Sequence, residues 1–135
     1  MNAMNMVNTY KTQQIMTAPP EQLTLMLYNG AIKFVDESIQ AIEQRDFPKA
    51  HASNLRAQDI VRELMATLDM RYEIAKTWYQ LYDYILYRLI QGNIKKDKEE
   101  LSEARGMLQE FRDTWVEAMK RARAGQAAAG QAAGR

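Results

Sequence analysis

One histidine, His51, and no cysteine make up the whole stock of imidazole and thiol chemistry in this 135-residue chain. A lone imidazole near the start of a helix could carry a phosphoryl group, as phosphotransfer modules built on four helices do. That role asks for an exposed ring, a helping cation and a small residue in the next turn. The residues after His51 are Ala52, Ser53, Asn54 and Leu55, so neither Lys nor Gly stands at the expected offsets. A di-metal carboxylate bundle would need Glu-x-x-His on two helices, which a single histidine cannot supply. The carboxylates fall at ordinary helical spacing among basic residues. Glu99 with Glu103, and Glu110 with Asp113 and Glu117, therefore read as solvated faces. No Gly-rich phosphate loop, serine elbow or His-Glu-x-x-His occurs. Without Cys there is no disulfide framework or thiolate ligand. The expectation is a protein without catalytic residues, metal or cofactor, whose work is binding.

Charge and hydropathy narrow the partner. Eighteen Lys and Arg against 17 Asp and Glu leave a net charge of +1, too little basic excess to neutralise a nucleic-acid backbone. The longest run of large apolar residues, Leu25 to Tyr28, falls far short of the roughly 20 residues that span a bilayer. No basic-then-apolar leader opens the chain, which reads as cytosolic, with no direct membrane insertion.

The elements that must position a binding surface are helices. Three prolines, Pro19, Pro20 and Pro48, sit where helices can begin, and no alternating apolar run marks a strand. Periodicity and stop signals place helices over about 20–44, 47–68, 72–94 and 98–124. Asp46 and Asp97 are the N-caps of the second and fourth. Gly92-Asn93 loosens the end of the third. Connections of two to five residues make neighbours antiparallel, so the fold class is all-α, an up-down-up-down four-helix bundle over 19–124. Residues 1–18, with Lys11 as their one charge, form an N-terminal arm. Residues 125–135, GQAAAGQAAGR, read as a disordered low-complexity tail.

Apolar faces differ between helices. On the fourth, Leu101, Ala104, Met107, Leu108, Phe111, Trp115, Ala118, Met119 and Ala122 fall within about 120°, as an outer helix should. The first carries a core stripe of Leu23, Met26, Leu27, Ala31, Phe34, Val35 and Ile42, and beside it a second stripe of Leu25, Tyr28, Ile32 and Ile39. Together they span about 260°, more than an edge helix needs, so the arm or a partner is expected to cover the second stripe. On the third helix Ile74, Trp78, Leu81, Tyr82, Ile85, Leu86 and Leu89 read as core, with Tyr79 and Ile90 widening the stripe and Tyr84 and Tyr87 pointing elsewhere. The second turns Ala50, Ala57, Val61, Leu64, Met65 and Leu68 inward, with Leu55 and Ile60 at its margins.

The stretch YKTQQIMTAPPEQLTLMLYNGAIKF, Tyr10 to Phe34, resembles the opening of the flagellar export chaperone family that binds flagellin, the FliS family. The matching positions are Tyr10, Thr17, Pro20, Leu23, Met26, Leu27, Tyr28, Gly30 and Ala31. Ala57-Gln58-Asp59-Ile60, Leu64, Leu68-Asp69-Met70, Leu81-Tyr82-Asp83-Tyr84 and Trp115 come after them in order. The resemblance covers about residues 7–120. It departs where Arg71 and Tyr72 replace the Gly pair that usually succeeds the Leu-Asp-Met turn.

The resemblance implies a non-enzymatic cytoplasmic chaperone. It would hold the disordered C-terminal segment of flagellin, prevent premature polymerisation and dock on the membrane-embedded export gate protein of the flagellar type III system. Client-binding residues on this reading are Tyr10, Ile15, Leu25, Tyr28, Ile32, Leu55, Ile60, Tyr82 and Tyr84, and Val7 with Tyr10 would serve gate docking. The residues alone leave two alternatives open: a histidine phosphotransfer domain, and a bundle whose second stripe forms a homodimer interface.

Overall fold

The structure, a computed structural model, describes residues 20–133, with side chains through residue 130. Four helices account for it: α1 (Pro20–Glu43), α2 (Phe47–Ala66), α3 (Glu73–Lys95) and α4 (Lys98–Ala133). No strand occurs among the described residues. Helix α1 packs on α2 and α4, and α3 packs on the same two. The bundle is therefore square in section, with α1 and α3 on one diagonal.

The turns arise from local chemistry. Both α1 and α3 end at a left-handed residue, Arg45 (φ 60°) and Lys96 (φ 50°). Each end is closed by a long backbone bond, Asp46 N–H to Ala41 carbonyl at 2.8 Å and Asp97 N–H to Gly92 carbonyl at 3.0 Å, which satisfies carbonyls the helix leaves open. The same two aspartates then start the next helix. Asp46 accepts from Lys49 N–H at 3.2 Å and Asp97 from Glu99 N–H at 2.9 Å, as expected of N-caps. Between α2 and α3, Asp69 accepts from the Arg71 backbone N–H at 3.1 Å and from its guanidinium at 2.6 Å. An Asx-type turn thus forms this connection.

Tyr28, Ala31, Ile32, Val35 and Ile39 of α1 meet Ala57, Val61 and Leu64 of α2, Tyr82, Ile85 and Leu89 of α3, and Leu101, Ala104 and Leu108 of α4 in one core. Gly92 is buried inside α3, where a Cβ would lie 2.5 Å from Leu101 Cδ2. It does not loosen the helix end; it lets α3 and α4 approach. Polar groups also enter the α2 seams. Ser38 donates to the Ala50 carbonyl at 2.8 Å, Asn54 to the Leu89 carbonyl at 3.1 Å, and Gln58 to Asn54 at 2.7 Å. Among the described residues no buried side-chain polar atom lacks a partner.

Three expectations need correction. The stripe of Tyr28, Ile32 and Ile39 is buried, at 0%, 7% and 8% exposure, because α1 faces neighbours on two sides and the diagonal between them. Ile74 and Leu81, expected in the core, are exposed, since they lie on the side of α3 turned away from the diagonal. Residues 125–133, expected as tail, continue α4. The alanines between Gly125 and Gly130 have the highest helix propensity and offset the glycines.

Candidate binding surface

The aromatic residues gather at the end of the bundle where α1 begins. Tyr28 lies parallel to Phe111 with centroids 6.1 Å apart, and Trp78 meets Phe111 edge-on at 5.3 Å. Tyr82 packs against Phe111 at 5.0 Å. The Tyr28 and Tyr82 hydroxyls hydrogen-bond to each other across the bundle diagonal. Burial pushes both phenols above their ordinary pKa of 10.0, because desolvation penalises the phenolate. Trp115 Nε1–H donates to the Glu21 carbonyl at 2.7 Å and ties the first turn of α1 to α4. Above this cluster lies a cavity of about 340 Å³ lined by Pro20, Leu23, Leu68, Trp78, Trp115 and the two buried tyrosines, among others.

The large exposed apolar residues concentrate on α3. Ile74 (66%), Tyr87 (56%) and Ile94 (71%) are the most open within it, and Tyr79, Leu81 and Tyr84 are exposed too. A groove runs along each flank. The α2 side is lined by Arg62, Met65, Ala66, Tyr79, Asp83 and Leu86, with a volume of about 440 Å³. The α4 side is lined by Trp78, Leu81, Met107, Glu110, Phe111 and Thr114, about 200 Å³.

One polar clamp fixes this face. Arg88 reaches Glu100 at 2.7 Å and Glu103 at 3.2 Å. Its Nε–H donates to the Tyr84 hydroxyl at 2.8 Å, which in turn donates to Glu103 at 3.0 Å. Hydrogen bonds to Glu100 and Tyr84 raise the Arg88 pKa still further above its ordinary value, so the guanidinium stays cationic. Tyr84 is thereby held against α4 with its ring at the surface.

The residues expected to bind a client separate accordingly. Leu55 and Tyr84 are exposed, and Leu25 and Ile60 are half-buried. Tyr28, Ile32 and Tyr82 are buried; the two tyrosines reach a surface only as the floor of the end cavity. Val7, Tyr10 and Ile15 lie outside the described residues. Tyr87 is exposed, as expected of a residue pointing away from the core, whereas Leu81 was expected inside and Ile94 was not singled out. The spacing held a sign of it: Leu81, Tyr84 and Tyr87 recur every three positions, which drifts around a helix of period 3.6 and leaves the core face, and Ile94 stands seven after Tyr87, on the same side of the helix.

His51 is exposed. Its Nδ1 lies 2.9 Å from the Asn93 amide nitrogen, while the Asn93 oxygen accepts from Lys96 at 2.7 Å. The Asn93 amide therefore donates and His51 Nδ1 accepts. No group of three metal-capable side chains occurs among the described residues. No described helix is long and apolar enough to cross a membrane.

Known proteins are similar to this chain in sequence. The family model described as "Flagellar protein FliS" matches residues 3–122. The flagellar secretion chaperone FliS of Bacillus subtilis is 40% identical over 116 residues, 86% of this chain and 87% of the relative. The proteins of the same name from Salmonella typhimurium and Vibrio cholerae are 34% and 30% identical, covering 75% and 76% of this chain and 77% and 76% of their own lengths. The family match spans all four helices up to the overhanging end of α4, and with it the chain belongs to the FliS family of flagellar secretion chaperones.

Proposed function

We propose that this chaperone binds the disordered C-terminal segment of flagellin in the cytoplasm, prevents its premature polymerisation and delivers it to the export gate protein of the flagellar type III system. The observation that carries the reading is the apolar face of α3 with a groove on each flank. An exposed row of Leu81, Tyr84, Tyr87 and Ile94 beside two clefts suits a chain that becomes helical as it lays an apolar face into grooves. A client that folds on binding gives up ordering entropy, which moderates affinity and permits release at the gate. The near-neutral net charge of +1 fits recognition by burial rather than by a steering field.

Within this reading Leu55, Ile60, Leu25 and Tyr84 contact the client directly. Tyr28 and Tyr82 act through the floor of the end cavity, and Ile32 acts only through the core. Tyr10 and Ile15 belong to the arm that competes for apolar surface, and Val7 and Tyr10 serve gate docking. Mixing the purified chain with a peptide of the flagellin C-terminal segment tests the proposal. The expected result is a complex at micromolar concentration with a gain in helical circular dichroism beyond the sum of the parts. Absence of both would reject it.

A further inference from the structure

The clamp between α3 and α4 is larger than a helix seam requires. Arg88 gives Nη1 to Glu100 at 2.7 Å, Nη2 to Glu103 at 3.2 Å and its Nε–H to the Tyr84 hydroxyl at 2.8 Å. That hydroxyl donates onward to Glu103 at 3.0 Å, and the guanidinium carbon lies 5.1 Å from the centre of the Tyr84 ring. The α1–α4 seam, by comparison, is bridged by Arg105 and Asp36 alone at 2.7 Å, and ion pairs near a protein surface contribute little to stability. Tyr79, Tyr84 and Tyr87 are the exposed tyrosines within α3. Among the described residues Tyr84 is the one of these whose hydroxyl is bonded on both sides. Its ring stays at the surface while its far end is fixed.

Position gives the fixed ring a use. Leu81 on α3 and Met107 on α4 line the α4-side groove. Tyr84 stands three residues after Leu81, and Glu103 four before Met107, each one turn further along its helix. The clamp therefore stands at the end of the groove nearest the α3–α4 turn. A chain laid in the groove meets the Tyr84 ring next. A side chain ordered beforehand loses no rotamer freedom on contact, and a rigid aromatic anchor offers large area at low entropic cost.

We infer that Arg88 is a positioning residue for client binding: it acts by holding the Tyr84 ring in the orientation the client meets, not by touching the client. The inference rests on the client reading proposed above. Arginine suits the task because its fork sets three N–H groups on three acceptors at once, whereas an ammonium is a point donor on a flexible stem. Lysine at position 88 keeps a cation opposite the carboxylates and releases the phenol.

Arg88→Lys and Tyr84→Phe, singly and together in the full-length chain, test this by titration calorimetry with a peptide of the flagellin C-terminal segment. Lysine is chosen over an apolar residue because Glu100, largely enclosed beside Arg88, would otherwise be left without a cation. Each single change should weaken binding about fivefold, the size expected when the client must order one side chain itself. The double variant should also lose about fivefold rather than about 25-fold, since both changes release the same ring. Melting temperatures should move no more than surface changes allow. Without peptide, three-bond couplings in tyrosine-labelled protein should place Tyr84 χ1 in one staggered well in the parent and show averaging in Arg88→Lys. Affinity of Arg88→Lys within twofold of the parent, losses that multiply in the double variant, or an unaltered χ1 coupling would each overturn the inference while the client reading stands. A parent chain that binds no peptide is a different result, and rejects the client reading and this inference with it.

Discussion

Tyr28 and Tyr82 share a single hydrogen bond across the core, and losing either hydroxyl strands the other. Tyr28→Phe leaves the Tyr82 hydroxyl buried without a partner, which should destabilise the fold by about 1–3 kcal/mol. Replacing both tyrosines by Phe should cost less than the two single changes together, and a double-mutant cycle from urea melts would measure the difference; strict additivity would mean the hydroxyls do not interact. The pH dependence has a definite sign. Both phenols titrate above 10.0 in the folded state, so the folded chain holds its protons where the unfolded chain loses them. Their contribution is complete below about pH 10 and declines above it. The double Phe variant should therefore show a shallower alkaline loss of stability than the parent. These residues also mark where the sequence misled. A wide apolar arc on α1 looks like surplus surface when neighbours are unknown. In a square bundle that arc is used up by two adjacent helices and the diagonal, and Ile32 and Ile39 are enclosed with Tyr28.

Helix boundaries were mostly legible, because the groups that set them are local. Asp46 and Asp97 cap the helices they precede, and Pro20 and Pro48 stand in first turns, whatever the rest of the chain does. The role of Gly92 was not legible, since only the approach of Leu101 on another helix explains it. A Cβ there would meet Leu101 at 2.5 and 2.9 Å and Glu100 Cβ at 3.2 Å. Gly92→Ala should thus destabilise by about 1–3 kcal/mol through overpacking, in spite of the better helix propensity of Ala. An unchanged or raised melting temperature would show that α3 and α4 can separate at no cost. Gly125 and Gly130 make the opposite case on α4. Nothing lies within 4 Å of an added Cβ at either site, so Ala at both should stabilise the overhang by roughly 0.5–1 kcal/mol each, measured as added helicity without loss of cooperativity. The end of α4 escaped the sequence reading because glycines and low complexity outweighed the alanines between them.

For the whole molecule, the consequence is that exposed apolar surface and core exchange places relative to a reading from periodicity alone. The apolar surplus sits on α3, where Leu81 and Tyr87 are 38% and 56% exposed, while Ile32 on α1 is 7% exposed. Charge placed on α3 should then remove client binding and spare the fold. Leu81→Asp with Tyr87→Asp buries a carboxylate under the client, a cost that should weaken the flagellin peptide complex at least tenfold, about 1.4 kcal/mol. The melting temperature should move by no more than an ordinary surface change allows. Ile32→Asp should do the reverse and unfold the chain, because no partner in the core can pair the charge. Calorimetry of the parent complex adds a thermodynamic check on the kind of contact. Burial of apolar area by a near-neutral protein predicts a negative heat-capacity change on binding and an affinity that varies little between about 50 and 500 mM salt, a range that spans screening lengths of roughly 14 to 4 Å. A steep salt dependence would instead assign recognition to charged groups such as the Arg88–Glu100–Glu103 clamp, and the α3 face would lose its claim to be the client's seat.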